Sequence, residues 1–142
     1  AVDEMCMAVK EHGADFCAVL DGDGVRVVFI DEKGAAVEAD SMATLMLRKF
    51  VPTLKSRKVV VDGRAGMKVI SEIKAAGAEP VFNRGGEEHI SARVSAESAA
   101  FGFSGDGVYA FKELSGSADA LYATLRLVEL LRVRRGAVRR LT

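Results

Sequence analysis

The 142-residue sequence lacks the features that mark several protein classes. Only two cysteines are present, so a disulfide-dense scaffold is excluded. Twenty acidic residues cancel twenty basic ones, which argues against a general polyanion binder. No apolar run approaches the roughly 20 residues needed to cross a bilayer, and the start at Ala1 lacks the basic and apolar regions of a signal peptide. We therefore expect a soluble, cytoplasmic protein whose partners include neither nucleic acid nor membrane.

Cys6 and Cys17 lie in apolar stretches, without a second Cys or a His pair at zinc-ligand spacing. We interpret both as reduced core residues, and a redox or ligand role is the alternative. Since 49% of the residues are hydrophobic, a chain of this length can bury a core without staples or metal.

The first third of the chain has the pattern of a helix followed by a β-hairpin. Apolar positions recur at helical spacing over residues 2–12, before Gly13. Residues 15–20 and 25–30 are predicted strands on either side of a tight turn. Asp40 or Ser41 is expected to cap a second helix with a buried stripe. That stripe consists of Met42, Leu45, Met46 and Phe50, and Pro52 predicts a kink near its end.

The remaining chain alternates strands and helices before a second hairpin. Strands are predicted at residues 58–62, 79–82, 99–103 and 108–111. Helices are predicted from Met67 to Gly77, over residues 87–94, and from a Ser117 cap to Gly136. This order predicts an α/β fold, a layered α/β/α domain with a mixed sheet, preceded by a helix and β-hairpin. The expected core contains Val59, Val60, Val61, Ile70, Ile73, Val81, Leu121, Leu125 and Val128, and Leu131 extends the stripe of the last helix.

The turn Asp21-Gly22-Asp23-Gly24-Val25-Arg26 is the most informative local motif. Two carboxylates at i and i+2 in a glycine-rich loop can converge on a hard cation such as Mg²⁺. An EF-hand is excluded, because the later ligand positions are missing. On spacing alone, an ordinary β-turn of Asp and Gly is the commoner explanation.

Residues 15–34 around this turn resemble the metal-loop segment of the α-D-phosphohexomutases, the phosphoglucomutase and phosphomannomutase family. The similarity continues in the family's order through 59–62, 76–77, 83–86, 101–102 and 119–131. The resemblance therefore covers nearly the whole chain. It implies that residues 1–39 are a remnant of the metal-loop domain, the second of the family's four, and that residues 40–142 form an α/β domain similar to the third.

Members of that family transfer a phosphoryl group between positions 1 and 6 of a hexose phosphate, through a phosphoserine supported by Mg²⁺. The resemblance implies that Asp21 and Asp23 match the first two metal-ligating aspartates and Arg26 the arginine that follows. Val25 stands where the family has the third aspartate. Because valine has no lone pair, we expect Mg²⁺ binding to be possible but weakened.

The loop that recognises the sugar also departs from the family pattern. Ser104, Asp106 and Val108 stand where the family has Glu, Ser and His. Ser104 and Asp106 remain candidate sugar contacts, and a solvated turn is the alternative. Arg84 is a further candidate for a phosphate or hydroxyl contact, and Arg26 is a candidate substrate contact as well. Gly66 replaces a usual serine. Asp62 and Arg64 are retained.

The sequence contains neither the family's phosphoserine motif nor its phosphate-gripping loop, so no catalytic residue is assigned. We therefore expect a partial phosphohexomutase-like protein, inactive as this chain alone, with a hexose phosphate as its possible ligand. The alternative is a non-catalytic module that acts by binding or assembly. The predicted hairpin would lack the rest of its sheet, so it should either pack on its own α/β unit or pair with another chain in a homo-oligomer.

Overall fold

The computed structural model describes residues 2–50, 56–84 and 89–134. Its helices are α1 (Val2–His12), α2 (Ala39–Phe50), α3 (Met67–Ala75), α4 (Ile90–Ala96) and α5 (Ala120–Arg134). Its strands are β1 (Phe16–Leu20), β2 (Val27–Asp31), β3 (Ala36–Val37), β4 (Lys58–Asp62), β5 (Glu79–Asn83), β6 (Phe101–Phe103) and β7 (Tyr109–Phe111). A short 3₁₀ turn, Lys112–Leu114, follows β7. No helix among these described residues has the length and apolar character needed to span a membrane.

The first three strands form an antiparallel sheet in the order β1-β2-β3. The predicted hairpin is present, with Leu20 opposite Val27. Alternate residues of β1 point to opposite faces of the sheet. Phe16 and Ala18 therefore lie on the face that packs on the main core, and Cys17 lies on the face covered by α1. The predicted helix-plus-hairpin unit is thus two layers thick.

The other four strands form a mixed sheet in the order β5-β4-β6-β7. β4 is parallel to both β5 and β6, and β7 is antiparallel to β6. Helix α4 covers one face, where Ile90 and Val94 pack against Val60. Helices α2, α3 and α5 cover the other face and complete the larger core. The α/β/α layering with a mixed sheet is therefore confirmed.

The two sheets contact each other directly. The Val27 N–H donates to the Gly107 carbonyl at 3.0 Å, and Arg26 forms an antiparallel bridge with Val108. The rings of Phe29 and Tyr109 lie 6.0 Å apart, centre to centre. Of the two predicted outcomes for the hairpin, the structure shows packing on its own α/β unit.

Most predicted elements are observed, with shifts at their ends. Helix α4 begins at Ile90, later than predicted, and residues 85–88 lie outside the described range. Strands β6 and β7 are shorter than predicted, and β3 had no clear sequence signal. The side chain of Phe50, the Pro52 kink and the stop at Gly136 also lie outside the described residues. Cys6 and Cys17 are half-buried, whereas the sequence suggested core positions.

The prediction for the face of α5 was wrong. Leu121, Leu125 and Val128 are 59%, 58% and 44% exposed. The helix begins at Ala120, and the Asp119 carboxylate, instead of Ser117, caps it by accepting the Tyr122 N–H at 2.8 Å. The buried face consists of Ala120, Ala123, Leu127 and Leu130, with Leu131 partly buried beside it. Of the other predicted core residues, Val59, Val60, Val61 and Ile73 are buried, and Ile70 and Val81 are partly buried.

Candidate functional site

The carboxyl ends of β4 and its two parallel neighbours lie at the same edge of the mixed sheet. The connections from β4 to β5 and from β5 to β6 run through α3 and α4, which pack on opposite faces. This arrangement places a topological switch point beside β4. Ligands of α/β proteins bind in the crevice outside the strand ends at such a point. The loops after β4 and β6 are therefore the candidate site.

Asp62, the last residue of β4, joins these two loops. Its side chain is only 6% exposed. Oδ1 accepts the Arg64 N–H at 2.7 Å, and Oδ2 accepts the Gly105 N–H from the loop after β6 at 3.0 Å. A buried carboxylate needs such partners, because desolvating it unpaired would be costly. Asp62 therefore fixes the separation of the two loops.

The Arg64 side chain makes a second connection across the same gap. Its guanidinium lies 3.0 Å from Asp106 Oδ2 and 3.5 Å from Asp62 Oδ2. The hydrogen bond and charge of Asp106, followed by the charge of Asp62, raise the pKa of Arg64. Asp106, a predicted sugar contact, is therefore occupied by an internal ion pair.

Ser104, another predicted sugar contact, is buried beneath the loop after β6. Its backbone closes the turn, since the Ser104 N–H donates to Val108 and its carbonyl accepts from Gly107. The side chain is fully buried, and its Oγ has no hydrogen-bond partner among the described residues. In this arrangement the hydroxyl does not reach solvent.

The Asp21 turn is held by its own backbone. Asp21 Oδ1 accepts the N–H groups of Val25 at 2.9 Å and Arg26 at 3.2 Å, and Oδ2 lies 3.6 Å from the Arg26 guanidinium. Desolvation raises the pKa of Asp21, but the backbone donors and the Arg26 charge outweigh it and bring that pKa below its ordinary value. Asp21 therefore works here as a turn-closing carboxylate.

The Asp21 turn offers few ligands for a magnesium ion. Asp23 is exposed, and Val25 offers no oxygen ligand from its side chain. Within residues 2–50, 56–84 and 89–134, no three His, Cys, Asp or Glu side chains are grouped so as to hold a metal. Because Asp21 Oδ1 already accepts two backbone N–H groups, this turn has few side-chain oxygens left for the near-octahedral coordination that Mg²⁺ prefers.

The structure brings Arg26 close to the loop that contains Asp106 and leaves Arg84 on a different loop. Arg26, 47% exposed at its side chain, bridges to Val108, so its turn adjoins the loop that contains Asp106. Arg84 is exposed directly after β5. Arg26 and Arg84 are therefore the exposed cations among the predicted contacts, and Arg64, whose side chain is 71% exposed, is paired with Asp106.

The sequence did not reveal two of the contacts that shape this edge. Asp62 and Arg64 were recognised as retained, but their pairing with the loop after β6 joins residues more than 40 positions apart. Asp40 Oδ2 also accepts the Gly66 N–H at 2.9 Å, at the start of α3. An acidic residue at the end of a buried strand was the only available signal for the first contact, and none indicated the second.

Known proteins resemble this chain over most of its length. A phosphohexose mutase from Xanthomonas campestris pv. campestris (strain B100) is 30% identical over 129 residues, which are 91% of this chain and 29% of that protein. A phosphomannomutase from Salmonella typhimurium is 29% identical over 133 residues, 94% of this chain and 29% of the relative. The chain thus spans less than a third of these relatives. No family model matches it.

Solved structures show the same fold. A phosphoglucomutase/phosphomannomutase family protein from Burkholderia thailandensis superposes with a TM-score of 0.85 at 21% identity, covering 92% of this chain and 29% of that one. An Aspergillus fumigatus N-acetylphosphoglucosamine mutase, in complex with GlcNAc-6P and magnesium, gives 0.64 at 19% identity, covering 89% and 32%. The chain is therefore similar in sequence to phosphohexose mutases and phosphomannomutases, shares the fold of the matching part of these solved structures, and corresponds to less than a third of their length.

Proposed function

We propose that this chain is a phosphohexomutase-like module that does not transfer phosphoryl groups by itself. In this proposal it supplies the hexose-phosphate-facing loops of a larger mutase-like protein. The observation that carries the proposal is the pairing at the carboxyl edge of the mixed sheet, where Arg64 pairs with both Asp62 and Asp106. Phosphoryl transfer depends on positioned charges around the moving group, and these three charges are engaged with each other instead.

The residue replacements support the same conclusion. Val25 removes a carboxylate from the metal turn, and Ser104 and Val108 replace the Glu and His of the sugar loop. Ser104 is buried, and Asp106, although its side chain is 42% exposed, is engaged by the Arg64 guanidinium. Arg26 and Arg84 are the proposed contacts for the phosphate or hydroxyls of a hexose phosphate, because both cations are exposed at this edge.

Mutase turnover tests the proposal. The chain is incubated with glucose 1-phosphate, its bisphosphate activator and Mg²⁺, and glucose 6-phosphate is measured beside a complete phosphomannomutase as a positive control. We expect no turnover above background from the chain and normal turnover from the control. Measurable turnover that scales with the concentration of the chain would refute the proposal.

Binding is measured separately from turnover. Glucose 6-phosphate is titrated into the chain and into the Arg84→Gln and Arg26→Gln variants, with Arg132→Gln as a control on the exposed part of α5. We expect weak binding that each site variant reduces several-fold and that the control leaves unchanged. Equal binding by all four proteins would remove Arg26 and Arg84 from the proposed site.

A non-catalytic module that acts by binding or assembly is the second candidate function. The internal pairing of the loops favours it, because the edge is already satisfied without a ligand. Mutase activity in the intact gene product, measured beside residues 1–142, separates the two candidates. Activity of the intact product supports the partial mutase, and inactivity together with no Mg²⁺ affinity supports the non-catalytic module.

The division into residues 1–39 and 40–142, the cytoplasmic location and the homo-oligomer remain part of this proposal. The contacts that join the two sheets are compatible with either an oligomer or a single chain. Sedimentation at high protein concentration measures the assembly. A strictly monomeric profile would remove the homo-oligomer.

A further inference from the structure

Helix α1 folds back over the sheet that carries the Asp21 turn. The chain reverses after α1, where the Ala14 N–H donates to the Val9 carbonyl at 3.1 Å and Gly13 adopts φ +59°. Val9 is buried, Val2, Cys6 and Ala8 are half-buried, and the other positions of the helix are exposed. Val2, Cys6 and Val9 recur at i, i+4 and i+7 and so share one face of the helix. Cys6 therefore lies on the side of α1 that faces the sheet.

The contacts of Gly34 place Cys6 at one end of this sheet. A Cβ on Gly34 would lie 2.6 Å from the Cys6 carbonyl oxygen, so the turn after β2 lies directly against the helix at Cys6. That turn is closed by a hydrogen bond from the Gly34 N–H to the Asp31 carbonyl at 3.0 Å. Asp31 is the last residue of β2, so Cys6 packs beside the carboxyl end of that strand.

Cys17 lies at the same end of the sheet, on the face covered by α1. In the register of the hairpin, Cys17 is opposite Ile30 and its neighbour Phe16 is opposite Asp31. Both cysteines are free and half-buried. Both side chains therefore lie between α1 and the sheet, beside the end of β2. Burial, and after it the charge of Cys6, raise the pKa of Cys17.

We propose that Cys6 and Cys17 form a reversible disulfide between α1 and β1 when a small-molecule disulfide such as oxidised glutathione is present. The thiolate of one cysteine attacks oxidised glutathione, forms a mixed disulfide and releases one glutathione thiolate. The second cysteine then attacks the protein sulfur of that mixed disulfide and releases the other glutathione. Two protein thiols are oxidised, one oxidised glutathione becomes two reduced molecules, and the protons of the thiols pass to the released thiolates.

The cross-link would fasten α1 to the strand that leads into the Asp21 turn. It would also close a short loop in the unfolded chain, which lowers the conformational entropy of the unfolded state. The disulfide should therefore stabilise the folded chain without altering the carboxyl edge of the mixed sheet.

The test treats the intact 142-residue chain with oxidised glutathione and measures its mass and thermal transition. We expect the mass to fall by two hydrogens, one linked peptide that contains both cysteines, and a midpoint raised by about 5 °C. Dithiothreitol should reverse both changes. Two stable glutathione adducts per chain, dimers linked through disulfides, or unmodified thiols would each overturn the proposal.

The variants Cys6→Ser and Cys17→Ser are the matched controls. Each should take up one glutathione and show no rise in the thermal midpoint. Cys6→Ser alone is a sufficient control if Cys17→Ser does not fold, because the peptide linkage is measured on the unsubstituted chain. The same rise in midpoint in Cys6→Ser would show that the stabilisation does not come from this cross-link.

Discussion

Gly107 lies at the contact between the two sheets and has no room for a side chain. Its φ is +89°, in the left-handed region that L residues rarely adopt. A Cβ at this position would lie 2.4 Å from the Val27 carbonyl oxygen, which belongs to the backbone of β2. The Gly107 carbonyl also accepts the Val27 N–H at 3.0 Å. One alanine should therefore disturb both the turn and the contact between the sheets.

We expect Gly107→Ala to lower the free energy of unfolding by about 3 kcal/mol. The left-handed backbone conformation costs a side chain about 1–2 kcal/mol. Relieving the contact with Val27 displaces one strand and weakens a hydrogen bond worth about 0.5–1.5 kcal/mol. Residual crowding adds a further cost on the order of 1 kcal/mol. Urea unfolding followed by far-ultraviolet circular dichroism measures the change, since the chain has no tryptophan.

Two other glycines separate these contributions. Gly24 has φ +69° and nothing within 4 Å of its would-be Cβ, so Gly24→Ala should show the backbone cost alone, about 1–2 kcal/mol. Gly105 has no positive φ, and its Cβ would meet only Asp62 Oδ2 at 3.8 Å. Gly105→Ala should change stability by less than about 0.5 kcal/mol. Equal destabilisation by Gly107→Ala and Gly24→Ala would refute the role of the Val27 contact.

Three further predictions concern α5, Asp62 and the tyrosines. Leu127→Ala should lower the free energy of unfolding by about 2–4 kcal/mol because Leu127 is buried. Leu125→Ala, on the exposed face of the same helix, should lower it by less than about 1 kcal/mol. Similar losses of stability for both variants in urea unfolding would contradict the observed orientation of the helix. Asp62→Asn should cost about 1–3 kcal/mol, because each carboxylate oxygen accepts one backbone N–H and the amide nitrogen of asparagine cannot accept either of them. Unchanged stability would contradict the role of Asp62 in joining the two loops. Burial, followed by the hydrogen bond to Glu113, raises the pKa of Tyr122 to about 12, and burial also raises that of Tyr109. Unfolded tyrosines ionise near pH 10, so stability should be complete below about pH 10 and fall as the pH rises towards 12. Tyrosinate absorbance at about pH 11 measures the fraction of tyrosine that is ionised. That fraction should be low in the folded chain and close to one in urea. Full ionisation of the tyrosines in the folded chain at this pH would contradict the raised pKa values.

The first hairpin and β4 could be predicted because the sequence patterns that indicate them involve residues close together in the chain. The turn residues around Asp21 predicted the first hairpin, and the continuous apolar run at residues 58–62 predicted β4 with its observed bounds. Both patterns depend on residues close together in the chain. The same reasoning missed β3, because a two-residue strand is too short to have a period of its own.

The candidate site was only partly predictable. Arg84 follows β5 and Ser104 follows β6, at the carboxyl ends of strands that are parallel to β4. The sequence indicated these two positions only through its resemblance to the phosphohexomutases, and it indicated the Asp21 turn also through the residues of the turn itself. It did not predict that Asp106 is paired with Arg64 or that Ser104 is buried. Those facts depend on strands β4 and β6 lying side by side, which a pattern within either loop cannot specify.

The sequence by itself determined the order of helices and strands and the resemblance to the phosphohexomutases, because both are carried by residue types along the chain. The tertiary structure decided which face of each element is buried and which charges meet. In α5, two apolar stripes compete, and the one with Ala120 and Ala123 packs inward because small side chains let the helix approach the core closely. At the carboxyl edge of the mixed sheet, the position of a neighbouring strand decided that Asp62 and Arg64 bind another loop of the same chain.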